Sequence, residues 1–155
     1  MTKKFATGIV AGIALLVTLP ATGAPGIITT IAGTGAPGYC CDGMLATSAW
    51  LSVPRGMALD SAGNLFFGDS MRIRKVSTDG IIGTVAGSGQ GGFAGDNGPA
   101  TSALLNDPRD VAVDSAGNIF IADTSNHRIR KVTSSGIIGT VAGGGIGFSG
   151  DGGGA

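Results

Sequence analysis

The chain contains no glutamate, one histidine, one tryptophan, one tyrosine and two cysteines among its 155 residues, and each shortage excludes something. Without glutamate, carboxylate chemistry rests on ten aspartates, which ten lysines and arginines balance. A neutral chain presents no basic stripe to a phosphate backbone, so no nucleic-acid partner is expected. His127 stands without a second imidazole, so no histidine-based metal set can form. We therefore assign no catalytic residue, no metal and no cofactor. Aromatics are few at 5%, yet valine, isoleucine and leucine recur in short runs between glycines, the composition of a loop-rich β protein rather than a disordered one.

The cysteines, Cys40 and Cys41, are adjacent. Neighbouring cysteines bridge only with a distorted peptide, so a disulfide and a pair of free or casually paired thiols both stay open, with the thiols as the default expectation. No lysine, arginine or histidine lies near them in sequence to lower a thiol pKa for redox work.

Residues 1–23 have the pattern of an export leader. Lys3 and Lys4 open it, an apolar stretch runs from Phe5 to Leu19, and small residues Ala21, Gly23 and Ala24 follow, so cleavage after Gly23 is expected. The alternative is a membrane anchor, but the apolar run falls short of the ~20 residues needed to span a bilayer. The expected address is extracytoplasmic (secreted, periplasmic or at the cell surface), with no stable membrane span once the leader is gone.

What is abundant is repetition. Gly26-Ile27-Ile28 recurs as Gly80-Ile81-Ile82 and as Gly136-Ile137-Ile138, dividing 24–155 into units 26–79 and 80–135 and a partial unit 136–155. A period near ~50 residues points to a propeller or another stacked array. From the second unit into the start of the partial third, strands are expected over 110–114, 119–123, 128–132 and 137–142, separated by turn formers such as Ser115-Ala116-Gly117-Asn118. Four short strands joined by tight turns make an antiparallel meander. Ile119-Phe120-Ile121-Ala122 is apolar on both faces and needs cover on both sides, whereas Arg128-Ile129-Arg130 alternates charge with an apolar residue and reads as a half-solvated strand near the rim. Arg72, Arg74, Lys75, Arg128, Arg130 and Lys131 are accordingly assigned to solubility and edge protection. The Gly-rich crossover from Gly87 to Pro108 contains Pro99-Ala100-Thr101-Ser102, which predicts a short helix or 3₁₀ turn. The first unit is two residues shorter at Ser70-Met71, which shortens one turn and leaves the strands alone.

The strings Asp107-Pro108-Arg109-Asp110-Val111-Ala112-Val113-Asp114, Gly117-Asn118-Ile119-Phe120-Ile121-Ala122-Asp123 and Asn126-His127-Arg128-Ile129-Arg130-Lys131-Val132 resemble the NHL-repeat β-propellers, in particular bacterial repeats similar to the teneurin NHL region. The resemblance implies an all-β fold of propeller blades, here an incomplete ring of four-stranded antiparallel meanders preceded by a signal-peptide helix. It also implies a closed ring in the longer protein, used for binding on its faces and around its channel. Two complete repeats expose apolar blade faces, so the expected neighbours are the remaining blades of a longer chain or, as the second choice, further copies of this one. The segment 27–32 is expected to be an outer strand that precedes its own blade.

Several motifs have a functional and a plain reading. Gly87-Ser88-Gly89-Gln90-Gly91-Gly92 has dinucleotide spacing, but Gly33-Thr34-Gly35-Ala36-Pro37-Gly38 repeats it at the equivalent place without a βαβ unit, so both are crossover loops. The aspartates flanking turns lack calcium-loop spacing and are read as turn stabilisers. His127 is read as a turn residue beside Asn126. Arg55 and Arg109, each after a proline at the start of a blade, are the ligand-binding candidates, since a ring of arginines near a channel could meet an acidic group. The leading expectation is a binding module for a protein, peptide or glycan. The alternatives are part of a propeller hydrolase or lyase with its active site in other blades, and a structural spacer of a cell-surface protein.

Overall fold

A computed structural model describes residues 26–144. The expected leader and the end of the partial third repeat lie outside the described residues. Within them the chain forms two four-stranded antiparallel sheets, each a simple meander. The first contains β1 (Pro54–Leu59), β2 (Leu65–Asp69), β3 (Arg72–Val76) and β4 (Ile82–Ala86). The second contains β5 (Pro108–Val113), β6 (Ile119–Asp123), β7 (Arg128–Val132) and β8 (Ile138–Gly143). Each sheet straddles a repeat boundary, because the Gly-Ile-Ile that opens a sequence unit leads into the outermost strand of the preceding sheet.

The turns form for local reasons. Asp60 Oδ1 accepts the backbone N–H groups of Ala62 and Asn64, and Oδ2 accepts the Asn64 side-chain amide. Asp114 repeats this with Ala116 and Asn118. Here the aspartate side chain substitutes for the backbone in a tight hairpin. The β6–β7 connection is a 3₁₀ turn over Thr124–Asn126 that ends on His127 in the left-handed region, at φ 54°. In the shorter first repeat Ser70 takes that conformation alone, at φ 55°. His127 is thus a turn residue, as expected.

The sheets pack face to face. Phe66 and Ile73 from the first sheet meet Val111, Ile119, Ile121 and Val132 from the second, with Ala100, Ala103 and Leu105 of the crossover filling the space beside Ala86 and Ile138. The alternation of side chains makes this possible, since Phe66 serves this interface while Phe67 turns to the opposite face, under Ala46, Ala49 and Val76. The strands nearest the neighbouring sheet are β1 and β5, so this edge is the inner one, from which the two sheets diverge.

Each crossover lies along the outermost strand of the sheet it precedes. Gly43 and Ala46 donate to Ile82 and Gly80, and Asn97 and Ala100 donate in the same way to Ile138 and Gly136. The outer edges are therefore capped by chain, which satisfies backbone groups that would otherwise invite another strand. The 3₁₀ turn expected in the second crossover is present at Ala100–Ser102, and its counterpart is Ala46–Ser48. The expected outer strand over 27–32 does not form, and Ile27 and Ile28 are 88% and 98% exposed. A strand there needs a partner in the place that β3 holds for β4, and no described residue takes it.

Candidate functional site

The largest departure from the sequence reading concerns the arginines of the third strands. Arg74 and Arg130, assigned above to a solvated margin, have 0% of their side chains exposed. The correction follows from neighbours distant in sequence. Arg74 Nη1 meets Asp69 Oδ2 at 3.4 Å, and Nη2 meets Asp42 Oδ1 at 2.7 Å and the Cys40 carbonyl at 3.2 Å. Arg130 repeats the set with Asp123 at 3.4 Å, Asp96 at 2.6 Å and the Ala94 carbonyl at 3.3 Å. A guanidinium with several donors in a fixed fork can bind two carboxylates and a carbonyl together. Each blade therefore ties its crossover to its second and third strands through one buried cation.

The aspartates complete the tie. Asp69 Oδ1 accepts the backbone N–H groups of Ser52 and Val53 at 2.8 and 2.9 Å. Asp123 accepts the Asn106 N–H at 2.7 Å and the Asn126 amide at 2.8 Å. An aromatic side chain covers each arginine from outside, Tyr39 for Arg74 and Phe93 for Arg130, both at 4.9 Å from ring centre to guanidinium carbon. A second arginine stacks on the same ring, Arg72 at 3.6 Å and Arg128 at 3.7 Å. Burial works against the charged form of Asp42, but hydrogen bonds from Thr84 and Tyr39 and the charge of Arg74 together hold its carboxyl below the ordinary range. Asp96 is lowered in the same sense: burial opposes ionisation, and Thr140 and Arg130 outweigh it.

The candidate ligand contacts lie at the inner edge. Arg55 is the second residue of β1 and Arg109 the second of β5, and the fold brings both to Asp107, at 3.2 Å and 2.8 Å. Two guanidiniums, 41% and 58% exposed, share one carboxylate, and the exposed Asp110 follows Arg109 in the same strand. On the free face of the first sheet, Met57 and Leu59 are 73% and 65% exposed and line an open groove of about 680 Å³ with Ile31, Leu65 and Val76. Their counterparts in the second sheet, Val111 and Val113, are covered by the first sheet.

Cys40 and Cys41 are joined to each other in a disulfide, so the bridge and not the free pair is realised, and the peptide between them is not cis. Among the described residues no group of three histidine, cysteine or acidic side chains could hold a metal ion.

Two meanders packed face to face, with inner strands close together and crossovers capping the outer edges, are β-propeller blades. Residues 28–93 match the teneurin NHL domain and residues 105–132 match the NHL repeat. The blades are NHL repeats, similar to those of teneurins. Teneurin-4 of Homo sapiens is 35% identical over 103 residues, which cover 57% of this chain and 4% of that protein. The chain thus spans a few per cent of the length of the curated relatives it matches. Among solved structures, a Bacteroides thetaiotaomicron protein of unknown function superposes with a TM-score of 0.54 at 30% identity, over 64% of this chain and 26% of its own. An auxiliary nutrient binding protein from Bacteroides ovatus gives 0.50 at 28% identity, over 68% and 26%.

Proposed function

We propose that these blades form part of an exported binding module that recognises an acidic group on a protein, peptide or glycan and performs no catalysis of its own. The observation that carries this reading is the convergence of Arg55 and Arg109 on Asp107, which holds two half-exposed guanidiniums side by side at the inner edge. Planar guanidiniums bind carboxylates and phosphates in paired hydrogen bonds, and Asp107 holds the pair in place before a ligand arrives. The solved neighbour described as a nutrient binding protein is consistent with a propeller used for capture. An extracytoplasmic address is supported by the leader pattern and by the disulfide, since such bridges persist in oxidising compartments. The free apolar faces are those that further blades of a longer chain would cover.

The test is a screen of immobilised acidic glycans and acidic peptides, each beside a neutral analogue. The reading expects a binder that needs its acidic group and loses at least ~10-fold in affinity in Arg55→Ala/Arg109→Ala, the loss that corresponds to ~1.4 kcal/mol. A binder unaffected by that double substitution would place recognition elsewhere.

A further inference from the structure

The second repeat is an internal control for the disulfide of the first. Ala94 and Gly95 stand where Cys40 and Cys41 stand, yet the two loops make the same ties. The residue-40 and residue-94 carbonyls accept from Arg74 and Arg130 at 3.2 and 3.3 Å. The next turn closes by Gly43 N–H to Ile82 at 2.8 Å in one case and Asn97 N–H to Ile138 at 2.7 Å in the other. The loop therefore reaches its shape without a bridge. Nor does the bridge restrain the unfolded chain appreciably, because that effect grows with the loop closed and here the cysteines are neighbours.

The loop places residue 41 where a cysteine is unfavourable. Cys41 has φ 73° where Gly95 has φ 91°. Glycine enters this region freely, whereas a residue with a β-carbon is strained there. Both cysteines are half-buried, with Cys41 packed beside the Ala46, Ala49 and Phe67 cluster.

We propose that Cys40–Cys41 is a reversible thiol–disulfide site, a two-electron modification point on the first crossover that opens and closes while the blade stays folded. A dithiol reductant attacks one sulfur as thiolate, forming a mixed disulfide as the Cys40–Cys41 bond breaks. Its second thiolate then displaces the remaining cysteine. The reductant leaves as its own disulfide, and the two cysteine sulfurs take up two protons as thiols. The Trp50 backbone N–H donates to the Cys40 sulfur at 3.3 Å, which places the sole tryptophan beside the bridge, where its emission reports the change.

The full chain is treated with dithiothreitol under native conditions, alkylated with iodoacetamide and weighed intact. Two alkyl groups per chain, an unchanged circular dichroism spectrum, a shifted tryptophan emission and reversal by oxidised glutathione are expected. Alkylation only after unfolding, or loss of β signal on reduction, overturns the proposal. Cys40→Ala/Cys41→Gly copies the second repeat into the first and separates a redox role from a structural one. It should fold with a Tm within about 5 °C of the parent or above it and ignore the reductant. A larger drop makes the bridge a structural staple and overturns the inference.

Discussion

Replacing Arg130 by methionine removes a cation that touches two carboxylates and has no exposed side-chain surface. Asp123, itself 0% exposed, keeps the Asn106 and Asn126 hydrogen bonds but loses its countercharge. Breaking a buried pair from one side costs about 3–5 kcal/mol, because the stranded charge remains out of water. That is a large part of the roughly 5–15 kcal/mol that holds an ordinary domain together, and it corresponds to a fall in Tm of about 10–25 °C. Lys131→Met, one position along the same strand and half-exposed, should change stability by no more than about 0.5 kcal/mol. Urea and thermal unfolding of both variants give the comparison. In Arg130→Met/Asp123→Leu part of the loss should return, since an apolar pair of similar volume avoids the stranded charge. If Arg130→Met costs less than about 1 kcal/mol, the guanidinium is not the buried tie described above, and the sequence reading of a solvated strand would be restored.

Other outcomes follow from the same geometry. A β-carbon on Gly68 would lie 2.6 Å from the Pro108 carbonyl oxygen, so Gly68→Ala should push β2 away from β5 and cost about 1–3 kcal/mol in chemical denaturation. Phe93→Leu removes the ring on which Arg128 stacks at 3.7 Å and should cost about 0.5–2 kcal/mol, read as a shift in the urea midpoint. Asp42 and Asp96 have lowered pKa values in the folded state, so each contributes stability that is fully present above the unfolded aspartate value of about 3.9. That contribution is lost as pH falls through the lower folded values. Urea midpoints should therefore be flat in this respect near neutrality and decline below about pH 4, with a shallower decline in Asp42→Asn/Asp96→Asn.

The fold was legible because repetition and alternation are local signals. Ile119–Asp123 and Arg128–Val132 were bounded correctly from turn formers and apolar runs alone. The arginine tie was not legible by that route. Alternation in Arg128-Ile129-Arg130 reports that the arginines share a face, while what covers that face comes from a crossover more than thirty residues earlier. A weaker signal was present: Asp42, Asp69 and Arg74 in one unit match Asp96, Asp123 and Arg130 in the other, and opposite charges recurring together point to a pair. The carboxylate that Arg55 and Arg109 share was not legible, because the first repeat has Val53 where the second has Asp107. The cysteines misled because adjacency says nothing about a loop that already places residue 41 in a left-handed turn.

The central claim is that the two repeats stabilise one another across a shared apolar interface, and Phe66→Ala tests it most directly. Phe66 belongs to the first blade yet packs among residues of the second, and its truncation should cost about 3–5 kcal/mol. Native-state hydrogen exchange, read amide by amide, should show β6 and β7 losing protection by the same free energy as β2 and β3. Loss confined to β1–β4, with β5–β8 unchanged, would show that each repeat is stable alone and would contradict the account.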